Sequence, residues 1–216
     1  MIIMERTCTR AAYAMVSLGA LMLLSLSACA QEKAAPPSKA TLDNLSAAYD
    51  GESSAHARYL AFAKKADEEG YGQAASLFRA AARAEQVHYE RHAEEIKKLG
   101  GTAKAKIETP VVKTTKENLQ AALKGEIYES EVMYPGFIAQ AKKEANASAV
   151  DVFEDAKEAE AVHAAWYRKA LSNLDAWKGQ NKEFMVCPTC GNVVDVLPGL
   201  ACPICRTDTK KFMAVR

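Results

Sequence analysis

Apolar residues recur every three to four positions from about residue 41 to residue 178, in a stretch otherwise rich in Ala, Glu, Lys and Leu. That spacing lines one face of an α-helix. It predicts four helices, over residues 41–69, 72–99, 115–145 and 147–178. The breaks "EEGYG" (68–72) and "EANAS" (144–148) are short. The first and second helices, and the third and fourth, should therefore form antiparallel hairpins. Residues 100–115, "GGTAKAKIETPVVKTT", are long enough to cross between hairpins, and Thr115 with the following "KEN" opens the third helix. Pro135 removes the amide that would bond the Glu131 carbonyl, so a kink is expected within that helix.

A carboxylate interrupts each apolar stripe near its middle. Glu52 lies among Leu45, Ala48, Tyr59 and Phe62; Glu85 and His88 share a face with Leu77, Phe78 and Ala81. Glu126 and Glu129 fall among Leu119, Leu123 and Met133; Glu160 and His163 fall among Phe153, Ala156 and Tyr167. The arrangement repeats. "EQVH" (85–88) and "EAVH" (160–163) each follow a "GE" pair, at 51–52 and 125–126, by 33 and 34 residues between glutamates. Tyr59 and Tyr134 follow the two "GE" pairs closely. This is a diverged duplication of a helical hairpin. Two such hairpins packed about a pseudo-twofold axis bring Glu52, Glu85, Glu126, Glu160, His88 and His163 to one central place.

Burying a single unpaired charge costs several kcal/mol, and these stripes carry no Lys or Arg to offset the glutamates. A pair of metal ions must supply the balance, and carboxylates with one imidazole per ion suit iron or manganese. Glu129 breaks the symmetry, since its first-half counterpart is Ala55. It is either a solvated residue at the bundle edge or an additional, movable metal ligand. His56 and His92 lack repeat partners and read as structural or exposed.

Charge adds an exclusion. The chain has 28 basic and 27 acidic residues and a net charge of +1, which gives no ground for a nucleic-acid partner. The N-terminus adds an address. Arg6 and Arg10 precede or abut an uncharged apolar run over 11–28, which a transmembrane anchor would also explain. The small residues of "LSAC" (26–29) and the polar "QEK" after it favour a signal peptide. The run resembles a bacterial lipoprotein lipobox, which implies cleavage before Cys29 and its diacylation. Residues 29–40 then read as a tether, and the protein as exported and lipid-anchored to a bacterial membrane, facing the periplasm or the exterior. Ala30 after Cys29 points toward the outer membrane.

Cys8 lies in the leader, and the other four cysteines gather near the C-terminus as "CPTC" (187–190) and "CPIC" (202–205). Four thiolates in two such knuckles can surround one iron or zinc, with disulfides as the alternative for an exported chain. Residues 182–216 are too few for a convincing core of their own, so metal should stabilise them.

Taken in order, "GESSAHARY", "AEQVHYERH", "GEIYESEVMYPGF", "EAEAVH" and "CPTCG…CPIC" resemble the rubrerythrin family across about 41–216. The resemblance implies an all-α, ferritin-like four-helix bundle over 41–178 with a small rubredoxin-like metal-knuckle domain over 182–216. It implies two non-haem iron ions held by Glu52, Glu85, Glu126, Glu129, Glu160 and His163, with His88 exchanging with Glu129 in the reduced state. Tyr59 and Tyr134 are implied as donors to ligand carboxylates, and Cys187, Cys190, Cys202 and Cys205 as holders of one iron, or zinc. The implied activity is peroxidase: hydrogen peroxide is reduced to water with electrons from an unidentified donor, relayed through the cysteine-bound iron. In the family that iron often approaches the diiron site of a partner subunit, which implies a homodimer. Rival readings are a ferroxidase or iron-storage protein on the same bundle, and a non-enzymatic electron carrier. Arg206 and Asn192 depart from the family pattern, where Gly and an aromatic residue often stand. The lipoprotein leader is likewise unusual for a family usually regarded as cytoplasmic.

Overall fold

A computed structural model of the chain describes residues 39–216. The predicted leader, Cys29 and nearly all of the tether lie outside the described residues. Among the described residues no helix is long and apolar enough to cross a membrane.

Helices α1 (Lys39–Glu68) and α2 (Gly72–Lys98) form the first hairpin. Their contact is lined by small side chains, among them Ala63, Ala66, Ala74, Ala81 and Ala84, all buried. Alanine lets two backbones approach closely while keeping helix propensity high. The turn between them needs Gly70, whose φ is +77°, a conformation a side chain disfavours.

The second hairpin holds α3 (Thr115–Tyr128), a π-turn (Glu129–Met133), α4 (Tyr134–Lys143) and α5 (Ala147–Ser172). α3 opens at Thr115 as expected, and Thr114 caps it: its side chain accepts from the Glu117 amide while Glu117 reaches back to the cap. The expected kink at Pro135 is instead a π-turn just before it, with Pro135 in the first turn of α4. There the missing amide is tolerated. The turn has a cause in the repeat. Glu52 and Glu126 are 74 residues apart, whereas Tyr59 and Tyr134, Glu85 and Glu160, and His88 and His163 are each 75 apart. One extra residue has entered between Glu126 and Tyr134, and a π-turn absorbs it without loss of register on either side.

The helical segment ends at Ser172, before the predicted 178, and a 3₁₀ turn (Leu174–Trp177) follows. Buried Trp177 joins the core, and the Gly179 amide donates to the Gly70 carbonyl at 2.9 Å. The chain is thus led back along its own bundle. Beyond it, β1 (Phe184–Val186), β2 (Val193–Val194) and β3 (Met213–Val215) form an antiparallel sheet in the order β2-β1-β3. Phe184, Val186 and Val193 share a core with Phe62, Phe78, Tyr59 and Tyr167 of the helices. A second core, of Leu45, Ile96, Tyr134, Ile138 and Phe153, serves α1, α2, α4 and α5.

Candidate metal centre

Four helices converge on the polar middle of the bundle. Glu52 comes from α1, Glu85 and His88 from α2, Glu126 from α3, and Glu160 and His163 from α5; none is more than 1% exposed. Their donor atoms form two overlapping groups, each within 4.8 Å: Glu52, Glu85, His88 and Glu160, and Glu85, Glu126, Glu160 and His163. Glu85 and Glu160 belong to both. Glu160 places one oxygen 2.7 Å from His88 Nδ1 and the other 2.7 Å from His163 Nδ1. Glu85 likewise lies 3.0 Å from the first imidazole and 3.7 Å from the second. Two shared carboxylates between two imidazoles describe a two-ion site.

The donor set fits such ions. Glu52 Oε2, Glu85 Oε1, Glu126 Oε2, both Glu160 oxygens and His163 Nδ1 are buried without an aligned hydrogen-bond partner. Buried polar atoms are normally paired, so a convergent set left unpaired marks a cation site. Charge is also balanced by protons, a role the sequence reading assigned to metal alone. Burial, followed by Glu160 and Glu85, pushes the Glu52 and Glu126 carboxyls well above the usual range. Burial, then Glu52 and Glu126, does the same to Glu129. Burial opposes charge on His88 and His163, but Glu160 and the other carboxylates outweigh it and raise both. Glu160 is also opposed by burial, yet His88 and His163 hold it below its ordinary value.

The C-terminal knuckles complete the site from one side. All four cysteines carry free thiols within 4.8 Å of one another, so the disulfide alternative is not realised. Sγ–Sγ separations are 3.5 Å for Cys187–Cys205 and for Cys190–Cys202. A hydrogen bond from Cys190 lowers the Cys187 thiol to about 5, which favours the thiolate that binds metal. The Cys190 carbonyl lies 2.9 Å from His88 Nε2, and the Gly191 carbonyl 3.0 Å from His163 Nε2. A carbonyl only accepts, so both Nε2 atoms carry a proton; in the metal-free chain the raised pKa of each ring keeps Nδ1 protonated as well where it faces the carboxylates, and Nδ1 offers a lone pair to a metal once that proton leaves. Gly191 makes this approach possible: a Cβ there would sit 2.4 Å from His88 Nε2.

The family model for rubrerythrin matches residues 43–171. Nigerythrin of Nitratidesulfovibrio vulgaris is 42% identical over 175 residues, spanning 81% of this chain and 86% of its own. The chain belongs to the rubrerythrin family. Rubrerythrin-2 of Clostridium acetobutylicum is 33% identical over 81% of this chain and 96% of its own. A structure of nigerythrin in its fully reduced, all-ferrous state superimposes with a TM-score of 0.76 at 39% identity, over 86% of this chain and 91% of that one. A Desulfovibrio desulfuricans bacterioferritin shares the bundle, with a TM-score of 0.59 at 25% identity over 63% of this chain and 80% of its own.

Within this rubrerythrin, then, the chain carries the donor sets of a diiron site and of a cysteine-bound iron. Tyr59 donates to Glu126 at 2.5 Å and Tyr134 donates to Glu52, each tyrosine reaching the glutamate of the opposite half. Glu129 belongs to neither donor group. It is 8% exposed, more than any of the six convergent residues, and lies in a cleft of about 410 Å³ with Asp50, Ser54, Arg58, Lys106 and Glu108. Arg58 is the cation the stripe count missed, because it precedes Tyr59 and sits off the apolar face. Within the single chain described, the knuckles reach the bundle's donors because Trp177 and Gly179 turn the linker back onto α1 and α2. His92, read as structural or exposed, is fully buried beside Tyr134. Its four-residue spacing from His88, which keeps it on the same helix face, was the available signal. The carbonyl contacts of Cys190 and Gly191 had none, since every residue has a carbonyl.

Proposed function

We propose that this protein is a peroxidase of the rubrerythrin type, reducing hydrogen peroxide to water. The observation that carries the reading is the direct contact of the cysteine knuckles with both imidazoles, through the Cys190 and Gly191 carbonyls. Storage or oxidation of iron does not need a four-cysteine site joined to the diiron ligands; repeated delivery of electrons does.

Glu52, Glu85, His88, Glu126, Glu160 and His163 would hold the two irons, with Glu129 able to swing in from its cleft as His88 yields. A reduced iron pair held there would supply both electrons that cleavage of the oxygen–oxygen bond requires, without release of a hydroxyl radical. Peroxide takes up two electrons and two protons and leaves as two waters. The cleft beside Glu129 admits a substrate of that size. Tyr59 and Tyr134 hold the carboxylates of Glu126 and Glu52 in place and keep a proton close by. Cys187, Cys190, Cys202 and Cys205 would hold the iron that returns electrons from an external donor. A second copy of the chain is the proposed partner for the exposed apolar residues Leu60, Tyr128 and Val132.

Metal analysis and rapid mixing test the proposal. The expected result is three irons per chain, and oxidation of the reduced protein much faster by peroxide than by dioxygen. A zinc in the cysteine site with faster oxidation by dioxygen overturns it in favour of iron oxidation. The proposed address, lipid-anchored through Cys29, is tested separately: Cys29→Ala should release the protein from the membrane fraction.

A further inference from the structure

The duplication makes the two halves of the bundle comparable position by position, and they differ behind the tyrosines. Adding 75 to Tyr59 gives Tyr134, to His88 gives His163, and to His92 gives Tyr167. His92 therefore stands behind Tyr134 as Tyr167 stands behind Tyr59. The rings confirm the pairing, with centroids 6.0 Å apart for His92 and Tyr134 and 5.7 Å apart for Tyr59 and Tyr167.

The chemistry of the two places is not the same. Tyr134 has one hydroxyl proton and gives it to Glu52. His92 Nε2 lies 3.0 Å from the same hydroxyl. With the phenolic proton committed to Glu52, the imidazole must be the donor in that bond, and Nε2 carries its proton. His92 Nδ1 is then the lone-pair nitrogen, and it has no hydrogen-bond partner. The ring is completely buried and lies against Phe153, 5.7 Å between centroids. Burial holds its pKa down to about 3, so it is neutral throughout the physiological range. In the other half Tyr59 donates to Glu126 in the same way, but the Tyr167 hydroxyl makes no aligned hydrogen bond. One glutamate is thus held by a chain of two donors and the other by a chain of one.

We propose that His92 is a positioning residue for one iron only: by donating to the Tyr134 oxygen it fixes that phenol on Glu52, and so secures the metal position shared by Glu52 and His88. Glu52 belongs to the donor group of His88, and Glu126 to that of His163. The His88 position is also the one at which Glu129 is proposed to exchange, so it is the position that loses a ligand during turnover. A second donor behind Glu52 keeps that carboxylate oriented while its neighbours move. The inference rests on the diiron reading of the two donor groups.

Chelator competition on the iron-loaded full-length chain tests it, followed by absorbance as iron leaves. His92→Leu should speed the loss of one iron about tenfold, within the usual effect of removing a partner of a metal ligand, and leave the other unchanged. His92→Gln, which keeps an N–H donor, should restore slow release. In a Tyr134→Phe background His92→Leu should have no further effect, because the chain is already cut. Tyr167→Phe should leave both irons as they are. If His92→Leu speeds the loss of both irons, or of neither, the proposal is overturned. So it is if the effects of His92→Leu and Tyr134→Phe simply multiply. Should His92→Leu not fold, the Tyr134→Phe and His92→Gln chains decide: Tyr134→Phe must release one iron selectively and His92→Gln must not. Failure of the diiron reading is seen differently, as fewer than two irons bound to the unsubstituted bundle.

Discussion

At the scale of the residue, two positions in the knuckles show how backbone conformation and function meet. Gly191 and Arg206 each follow the second cysteine of a knuckle, and both have positive φ, +74° and +65°. Each amide donates to the carbonyl of the first cysteine of its knuckle, which closes the turn. At Arg206 the side chain is exposed and the cost is conformational strain. Arg206→Gly should raise stability by about 1 kcal/mol, measured by denaturant unfolding of the iron-loaded chain. At Gly191 the cost of a side chain would be functional as well, because a Cβ would strike His88 Nε2 at 2.4 Å. Gly191→Ala should leave all three irons bound yet slow electron transfer from the cysteine-bound iron to the bundle by about tenfold or more, a change of roughly 1.4 kcal/mol in the barrier. Stopped-flow reoxidation followed at the two chromophores would read this directly. Asn192 explains the other departure from the family pattern: its side-chain amide lies 3.8 Å from Cys202 Sγ. A donor to a ligand sulfur raises the potential of such a centre.

At the scale of the element, the π-turn at Glu129–Met133 is the device that separates the two halves of the repeat. The matching segment of α1 is uninterrupted α-helix. The extra residue leaves Glu126 and Tyr134 in register with their counterparts and displaces only what lies between, which is where Glu129 stands. Regular α-helix is the more stable arrangement of the same backbone, so the turn is retained at a cost. Deleting exposed Glu131 should convert the segment to α-helix and raise the thermal midpoint, while moving Glu129 relative to the site and lowering the rate of peroxide reduction. Calorimetry and peroxide consumption on the same preparation check both halves of that expectation. If the deletion leaves the rate untouched, Glu129 has no part in turnover.

At the scale of the whole molecule, stability and metal loading should respond to pH in opposite directions. In the metal-free chain Glu52, Glu126 and Glu129 have raised pKa values, as do His88 and His163. A group whose pKa is raised on folding binds more protons in the native state. Its stabilising effect is complete below its unfolded value and is lost as pH rises through the folded one. Glu160 alone among the six convergent bundle residues has a pKa shifted downward; its contribution is present above the ordinary carboxylate range and fails only in strong acid. The melting temperature of the metal-free chain should therefore fall from about pH 5 to about pH 8. Iron binding must displace those protons, so affinity should rise over the same range. Melting curves with and without iron, at several pH values, should diverge as pH increases. Parallel curves would mean that the buried carboxylates are not the metal ligands.

The amino-acid pattern by itself determined four helices, their pairing into hairpins and the convergence of six carboxylate and imidazole side chains. It could do so because helical periodicity, a duplicated E-x-x-H and paired cysteine knuckles are local signals, written in spacings of two to four residues. It also exposed the asymmetry at Glu129, whose counterpart in the first half is Ala55. What it could not supply was anything carried by backbone or by long-range approach. The π-turn depends on how one extra residue is absorbed between two packed hairpins. The role of His92 depends on a tyrosine 42 residues away. The union of the two metal sites depends on Trp177 and Gly179 turning the linker home, and on carbonyls at Cys190 and Gly191 that any sequence would possess. Those features are decided by which surfaces meet, and only the folded chain determines that.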